Sequence, residues 1–232
     1  MCLQEYDDKD GRKVWLEGDE VDLLLDTVPR GERYIAMLLG VRCGLRVSEI
    51  IDVRPKDVVL TSAGPRVRVH DGKGGKYRET PAPPVLYQQA DASMSLGDKD
   101  ESDTLIGSDS TRTVRQWVYD LGAELAELTG DDGWRHIGPH DLRRTWATQL
   151  SGYDINPLLV CEWGGWDDLS TFLDHYHGIY SPDVQRRELQ KVPWMDVDTT
   201  VTDDRDPELR LLRDQPEIPV ATTPSSGGEP LG

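Results

Sequence analysis

The apolar residues of this chain recur at helical spacing along most of its length, and one region alternates as strands do. From Gly18, acidic residues fill a first turn and apolar residues follow at positions 21, 24, 25 and 28, as in an amphipathic helix. Residues 32–43 are mostly apolar and stop at Gly44, which predicts a buried helix ended by a glycine. Similar patterns predict helices at residues 85–90, 111–128, 139–150, 157–163, 169–176 and 182–191.

The strand-like region lies between residues 58 and 80. It contains three short β-branched or alternating runs, at 58–60, 66–70 and 77–80, and turn-forming residues separate them. We therefore predict a three-stranded antiparallel meander. The predicted fold class is α+β and mainly α, a helical domain with a small three-stranded antiparallel sheet.

The chain of 232 residues is long enough to bury one sizeable core. We expect this folded domain at residues 18–195, and we expect residues 1–17 to be a linker or the remnant of another domain. Residues 91–109 are polar and acidic, which indicates a surface loop. From residue 196 the chain carries nine acids against three arginines among Pro, Gly, Ser and Thr, so we predict a disordered acidic tail at 196–232.

The composition argues against several classes of protein. No apolar run approaches the roughly 20 residues needed to cross a bilayer, and the N-terminus lacks the layout of a signal peptide. We therefore expect a cytoplasmic protein that has no membrane partner. The three cysteines, Cys2, Cys43 and Cys161, are far apart and form no CxxC pair, which argues against a disulfide framework or a zinc site.

The net charge of −17 argues against nucleic-acid binding, because nucleic-acid binders usually carry a basic surface. The charge is unevenly distributed, however, since residues 42–79 hold nine lysines and arginines against five acids. An acidic surface also suits a host with a high-salt cytoplasm, where the Debye length falls to about 3 Å at 1 M salt. Our hypothesis is such a host.

Several side chains together suit the cleavage of a phosphodiester, which needs a nucleophile, donors to the phosphate oxygens and an acid for the leaving oxygen. His140 and Arg143 are three residues apart on a predicted helix, so both project from one face. Arg46 follows the glycine that ends the second helix, and Glu49 lies one turn later, where it can orient Arg46. Lys73 stands in a glycine-rich turn, which permits close approach to DNA.

In their order along the chain, these motifs resemble those of the tyrosine recombinases of the phage-integrase type. The matching pieces are Gly-Leu-Arg-x-Ser-Glu-Ile at 44–50, Gly-Lys-Gly at 72–74, His-x-Leu-Arg at 140–143, and Gly-x-x-x-x-Leu-Ser-Thr before Tyr176. Each motif alone is weak evidence, but four in the family's order with suitable separations are specific. The resemblance covers roughly three-quarters of the chain and implies a tyrosine-recombinase-like fold.

The resemblance implies a site-specific recombinase or integrase. Tyr176 would attack a phosphodiester and form a 3′-phosphotyrosyl link, while Lys73 would protonate the departing 5′ oxygen. Arg46 and Arg143 correspond to the two arginines that bind the phosphate. No metal or other cofactor is expected, because the link conserves the energy of the broken bond.

The remaining site residues also follow from the resemblance. His140 matches the family's first histidine, and Trp166 stands where most members have histidine and some have tryptophan. An indole can donate one hydrogen bond, but it cannot transfer a proton as histidine does. Glu49 would support Arg46. Further contacts to DNA are expected from Lys76, Arg78 and Arg144.

Two other readings of the same region are less favoured. Tyr180 is a rival nucleophile, but Tyr176 lies ten residues after Trp166, which is a common spacing in the family. His175 and His177 could suggest a metal site. Two histidines separated by one residue point apart on a helix, so we expect no metal there.

The expected partner is double-stranded DNA, with a homotetramer on paired sites as is typical of the family. Members usually have an N-terminal domain that clamps the DNA, and too few residues precede the first helix here to form one. A separate clamp protein is therefore expected as a possible partner. Two other functions stay open: a relaxing enzyme like the type IB topoisomerases, and a non-catalytic DNA-binding regulator or integrase fragment.

Overall fold

Helices form most of the structure, as the apolar spacing predicts. The computed structural model describes residues 1–6, 10–72, 75–100, 102–153, 155–170 and 172. Its α-helices are α1 (Gly18–Thr27), α2 (Glu32–Val41), α3 (Val47–Ile50), α4 (Pro84–Ser95), α5 (Thr111–Thr129), α6 (Pro139–Gly152) and α7 (Pro157–Gly164). Short 3₁₀ helices follow at Pro55–Asp57 and Asp132–His136. None of the helices described is long and apolar enough to cross a membrane.

The predicted meander is present as a three-stranded antiparallel sheet. The three strands lie side by side in their order along the chain, so the second strand is the central one. Val58 pairs with Val67, and Val67 pairs in turn with Thr80. The predicted fold class is confirmed. The strands of this sheet are β3 (Val58–Thr61), β4 (Gly64–Val69) and β5 (Arg78–Pro81).

The predicted helices up to residue 164 all begin at the predicted residue or one residue earlier. The largest difference is at α4, which extends to Ser95 and so includes the start of the expected loop 91–109. That loop also differs in burial, because Leu105 and Ile106 are 1% and 0% exposed within the core. These two apolar residues anchor a segment whose composition is otherwise polar. The predicted helix at 182–191 and the predicted tail at 196–232 lie outside the described residues.

Residues 1–17 contain a hairpin that the sequence analysis did not predict. Its antiparallel strands are β1 (Cys2–Glu5) and β2 (Arg12–Trp15). Val14, Trp15 and Leu16 are 0%, 6% and 4% exposed, so the end of the hairpin is part of the core. The strands are four residues each, which is short for a recognisable alternation.

One face of α6 binds the backbone of this hairpin through side chains spaced four residues apart. Val14 N donates to Asp141 Oδ1 at 3.1 Å, and Leu16 N donates to Thr145 Oγ1 at 3.1 Å. Gln149 Nε2 adds a longer bond of 3.4 Å to the Leu16 carbonyl. Residues four apart share one side of a helix, so the opposite side of α6 remains available for the rest of the domain.

The turn after α2 requires a glycine for two reasons. Gly44 has φ 69°, in the left-handed region, and Leu45 N closes the turn by donating to the Leu39 carbonyl at 3.0 Å. A Cβ at this position would also overlap the ring of Trp146 in α6. The close approach of backbone to indole fixes α2 against α6, just before Arg46.

Gly44→Ala tests this packing, with Gly130→Ala as the matched control. Gly130 has φ 72° and open space around it, so alanine there adds backbone strain alone, about 1 kcal/mol. At Gly44 the overlap with Trp146 adds about 1–3 kcal/mol more. Urea unfolding should show the larger loss for Gly44→Ala. Equal losses at the two positions would contradict the close packing of Gly44 on Trp146.

Candidate active site

Arg46 is held at the start of α3 by Glu49, as the sequence spacing predicts. Arg46 Nη1 donates to Glu49 Oε1 at 2.8 Å, and Arg46 N donates to Oε2 at 2.7 Å. The second bond satisfies an amide that has no partner within the helix. The Arg46 side chain is 20% exposed and that of Glu49 is 3% exposed, so the carboxylate lies beneath the guanidinium.

Glu49 also binds Arg78, which the sequence analysis assigned to DNA contact. Arg78 Nη1 and Nη2 donate to the two carboxylate oxygens at 2.8 and 2.7 Å. Arg78 Nε donates to the Trp163 carbonyl at 2.9 Å, and the side chain is 6% exposed. The contact of Arg78 with DNA stays a prediction, and its side chain also lines a second cleft, of about 650 Å³. Its guanidinium is directed inward because a buried carboxylate and a helix-end carbonyl bind it there.

The charge of Glu49 depends on these arginines. Burial by itself raises the pKa of the Glu49 carboxyl, but the hydrogen bonds and charge of Arg78, together with those of Arg46, outweigh burial. The pKa of Glu49 is lowered from 4.5 to about 2. Glu49 is thus ionised at neutral pH and neutralises part of the charge of two arginines in the protein interior.

Arg143 is a residue of α6. It is fully buried and contacts the end of α7. It donates through Nη1 to the Gly44 carbonyl and through Nη2 to the Gly164 carbonyl, the latter at 2.6 Å. Its guanidinium carbon lies 4.4 Å from the centre of the Trp166 ring, within the range of a cation–π contact. Each Nη of arginine carries two N–H groups, so bonding to these carbonyls is compatible with bonding to a phosphate.

Trp166 lies directly after α7 and is 8% exposed. Its ring packs between Trp146 and Phe172, with centroid separations of 6.1 and 5.1 Å. Gly165 precedes it with φ 67°, the left-handed conformation that ends many helices. The indole thus contacts two aromatic rings and the Arg143 guanidinium.

A cleft of about 640 Å³ brings together Arg46, His140 and Arg143. His140 is exposed at the first turn of α6. Among the residues that the structure describes, the lining contains five arginines, two histidines and one acid, Asp141. This strongly basic composition contrasts with the net charge of −17 and suits a phosphate anion.

Three of the cleft arginines were missed by the sequence analysis. Arg12 comes from β2, Arg115 from α5 and Arg135 from the 3₁₀ helix after α5, and all three are exposed. Arg115 shares a helix face with Tyr119, which also lines the cleft. They lie far apart in sequence and belong to no motif, so a local pattern could not have identified them.

Two further predicted DNA contacts have different surroundings. Arg144 is 3% exposed, pairs with Asp141 and lies 5.4 Å from the Trp15 ring. Arg144 thus attaches the hairpin to α6, and its contact with DNA stays a prediction. Lys76 is exposed, pairs with Asp167, and lines a neighbouring cleft of about 650 Å³ that also includes Trp166.

The remaining calls fall outside the described residues. These are the predicted general acid Lys73, the predicted nucleophile Tyr176, its rival Tyr180, and the histidines His175 and His177. Gly72, the residue before Lys73, is described, and its amide donates to the Lys76 carbonyl at 3.1 Å. Before Tyr176, residues 155–172 are described except for residue 171.

Two solved structures share this fold at low sequence identity. The crystal structure of XerA recombinase has a TM-score of 0.60 and 22% identity, covering 77% of this chain and 64% of that one. The Tn1549 transposon integrase, solved in complex with a circular intermediate DNA, has a TM-score of 0.58 and 19% identity. The second match covers 81% of this chain and 68% of the integrase.

Comparison of sequences gives the family. A tyrosine recombinase of Pseudothermotoga lettingae is 31% identical over 166 residues, covering 68% of this chain and 54% of that protein. The tyrosine recombinase XerA of Thermococcus kodakarensis is 31% identical over 159 residues, covering 67% and 55%. This chain spans about half the length of the curated relatives it matches. Since the family model matches residues 14–181, well over half of the sequence, the chain belongs to the phage integrase family.

Proposed function

We propose that this chain is the catalytic domain of a site-specific DNA recombinase or integrase. The observation that carries the proposal is the basic cleft, which unites Arg46, His140 and Arg143 from two separate motifs. Membership of the family supports it further, and so do the relatives named as tyrosine recombinases. The catalytic domain would occupy residues 18–195, together with the N-terminal hairpin that packs on it.

The proposed reaction needs no cofactor. Tyr176 Oη attacks the phosphorus and forms a 3′-phosphotyrosyl link while the bond from phosphorus to the 5′ oxygen breaks. Lys73 gives a proton to that leaving oxygen, and a 5′ hydroxyl of a partner strand later reverses the step. Arg46 and Arg143 donate to the non-bridging oxygens, where negative charge develops in the transition state.

His140 and Trp166 have supporting parts in this proposal. His140 lines the cleft and can donate a hydrogen bond to the phosphate. Trp166 packs on the Arg143 guanidinium at 4.4 Å, so its contribution is to hold that arginine rather than to transfer a proton. Glu49 holds Arg46 in place, because its carboxylate accepts hydrogen bonds from the Arg46 amide and guanidinium.

The proposed partner is double-stranded DNA. The Tn1549 integrase, which shares the fold, was solved with DNA, and this supports the choice. Strand exchange implies a homotetramer on paired sites. A separate protein that clamps the opposite face of the DNA is a further proposed partner.

The proposed setting is the cytoplasm of a host with high internal salt. The support is the charge of −17, which high salt screens over a distance of about 3 Å at 1 M. The thermal unfolding midpoint should therefore rise from dilute buffer to molar potassium chloride, as self-repulsion is relieved. A midpoint that is higher in dilute buffer would contradict this setting.

The nucleophile is tested by Tyr176→Phe, with Tyr180→Phe as the matched control. Each change removes one hydroxyl, so folding and DNA affinity should change little. Covalent trapping on a nicked suicide substrate should vanish for Tyr176→Phe and persist for Tyr180→Phe. A detergent-resistant adduct formed by Tyr176→Phe would refute the assignment. Absence of any adduct with the unmodified protein, given its cognate site and a clamp partner, would favour the non-catalytic function.

The cleft is tested by Arg115→Ala, with Arg112→Ala as the matched control. Both arginines are exposed on α5, but only Arg115 lines the cleft. If Arg115 binds a phosphate, its loss should weaken binding to any DNA sequence and lower the salt slope of the affinity by about 1. Fluorescence anisotropy at several salt concentrations measures both. Identical slopes for the two variants would remove Arg115 from the DNA-binding surface.

A further inference from the structure

Arg78 contacts more than one part of the candidate site at once. From β5 it donates to both oxygens of Glu49, at 2.8 and 2.7 Å, and to the Trp163 carbonyl, at 2.9 Å. The guanidinium is planar and its donors have a fixed arrangement, so these three bonds define its position and orientation. Its contacts therefore fix the distance between α3 and the end of α7.

The backbone around two glycines also packs on the Arg78 side chain. A Cβ on Gly165 would come within 2.9 Å of Arg78 Cδ, and a Cβ on Gly72 would come within 3.1 Å of Nη1. Gly165 directly precedes Trp166, and Gly72 directly precedes Lys73. The absence of a side chain at both positions allows the two segments to reach the arginine.

The end of α7 is bound by two buried arginines. Arg78 Nε donates to the Trp163 carbonyl, and Arg143 Nη2 donates to the next carbonyl, that of Gly164. The last carbonyls of a helix lack partners within it and carry partial negative charge, so cations are favoured there. Arg143 lines the basic cleft, Arg78 lines the neighbouring cleft of about 650 Å³, and Glu49 links Arg78 to Arg46.

We propose that Arg78 is a positioning residue that sets Arg46 and the segment Gly164–Trp166 relative to each other, without contacting DNA. The inference rests on the proposed function for its effect on the reaction. Removal of Arg78 leaves Glu49 with Arg46 alone and leaves the Trp163 carbonyl without this donor. Both changes displace groups that would otherwise be fixed before DNA binds.

The test uses Arg78→Met and Arg78→Lys, with Arg68→Met as the matched control. Arg68 pairs with Glu79 at 3.1 Å in the same sheet and is more exposed, so the control also removes one arginine–glutamate pair. Arg78→Lys keeps the charge that Glu49 requires, and it covers the case in which Arg78→Met fails to fold. A single ammonium cannot reproduce the guanidinium's three bonds.

For both Arg78 variants, the rate of adduct formation at saturating suicide substrate should fall by about 100-fold, as for small displacements of catalytic groups. DNA affinity and its salt slope should stay at the wild-type values, as should the rate of Arg68→Met. In an Arg46→Lys background, Arg78→Lys should lower the rate less than it does alone, because part of its effect acts through Arg46. Independent, multiplying effects would contradict this part of the route.

Hydrogen exchange gives a readout that needs no reaction. Peptides covering residues 44–52 and 157–167 should exchange faster in Arg78→Lys than in Arg68→Met when global stability is matched by denaturant. If the wild-type protein forms no adducts, the proposed function is refuted. The positioning role of Arg78 would then be decided by hydrogen exchange alone. A wild-type rate or unchanged exchange in folded Arg78→Lys would overturn the inference, and so would a lowered salt slope, which would indicate direct contact with DNA.

Discussion

The buried carboxylate of Glu49 is the interaction on which the arrangement of the candidate site depends. It receives hydrogen bonds from Arg46 and Arg78, and it stays ionised with a pKa of about 2. Removing one partner from such a buried pair typically costs about 3–5 kcal/mol, because a charge is left without compensation. The ion pair and the bond from Arg78 to the Trp163 carbonyl therefore stabilise the arrangement of three elements, α3, β5 and the end of α7.

The cleft shows why the net charge of a chain is a poor guide to its binding surface. Arginines from the hairpin, α5, α6 and the 3₁₀ helix at Asp132–His136 meet in one concavity, where the described part of the chain contributes a single acid. Charge–charge interactions weaken over about 8 Å at physiological salt, so an anion in the cleft responds mainly to these nearby arginines. Helix α6 connects the two sides of this arrangement, because it binds the hairpin through Asp141 and Thr145 and presents His140 to the cleft.

Two residues that were predicted to contact DNA have buried partners for a common physical reason. Sequence shows that Arg78 and Arg144 carry positive charge, but it does not show whether that charge reaches the surface. Arg78 pairs with a carboxylate 29 residues away, and Arg144 pairs with Asp141 under the hairpin. The strand β5 directs Arg78 inward, and the helix α6 directs Arg144 inward.

The sequence by itself determined the predicted helices and the meander, because these depend on short-range periodicity. It also determined the motifs that contain Arg46, His140 and Arg143 and indicate the family, because these depend on residue type. It also predicted the Arg46–Glu49 contact, since three residues of spacing suffice to bring the two groups together. Only the tertiary structure decided that Arg12, Arg115 and Arg135 join the cleft, and that Arg78 binds Glu49. Those placements depend on packing between residues far apart in the chain, and no local pattern encodes which buried partner a charged side chain will meet.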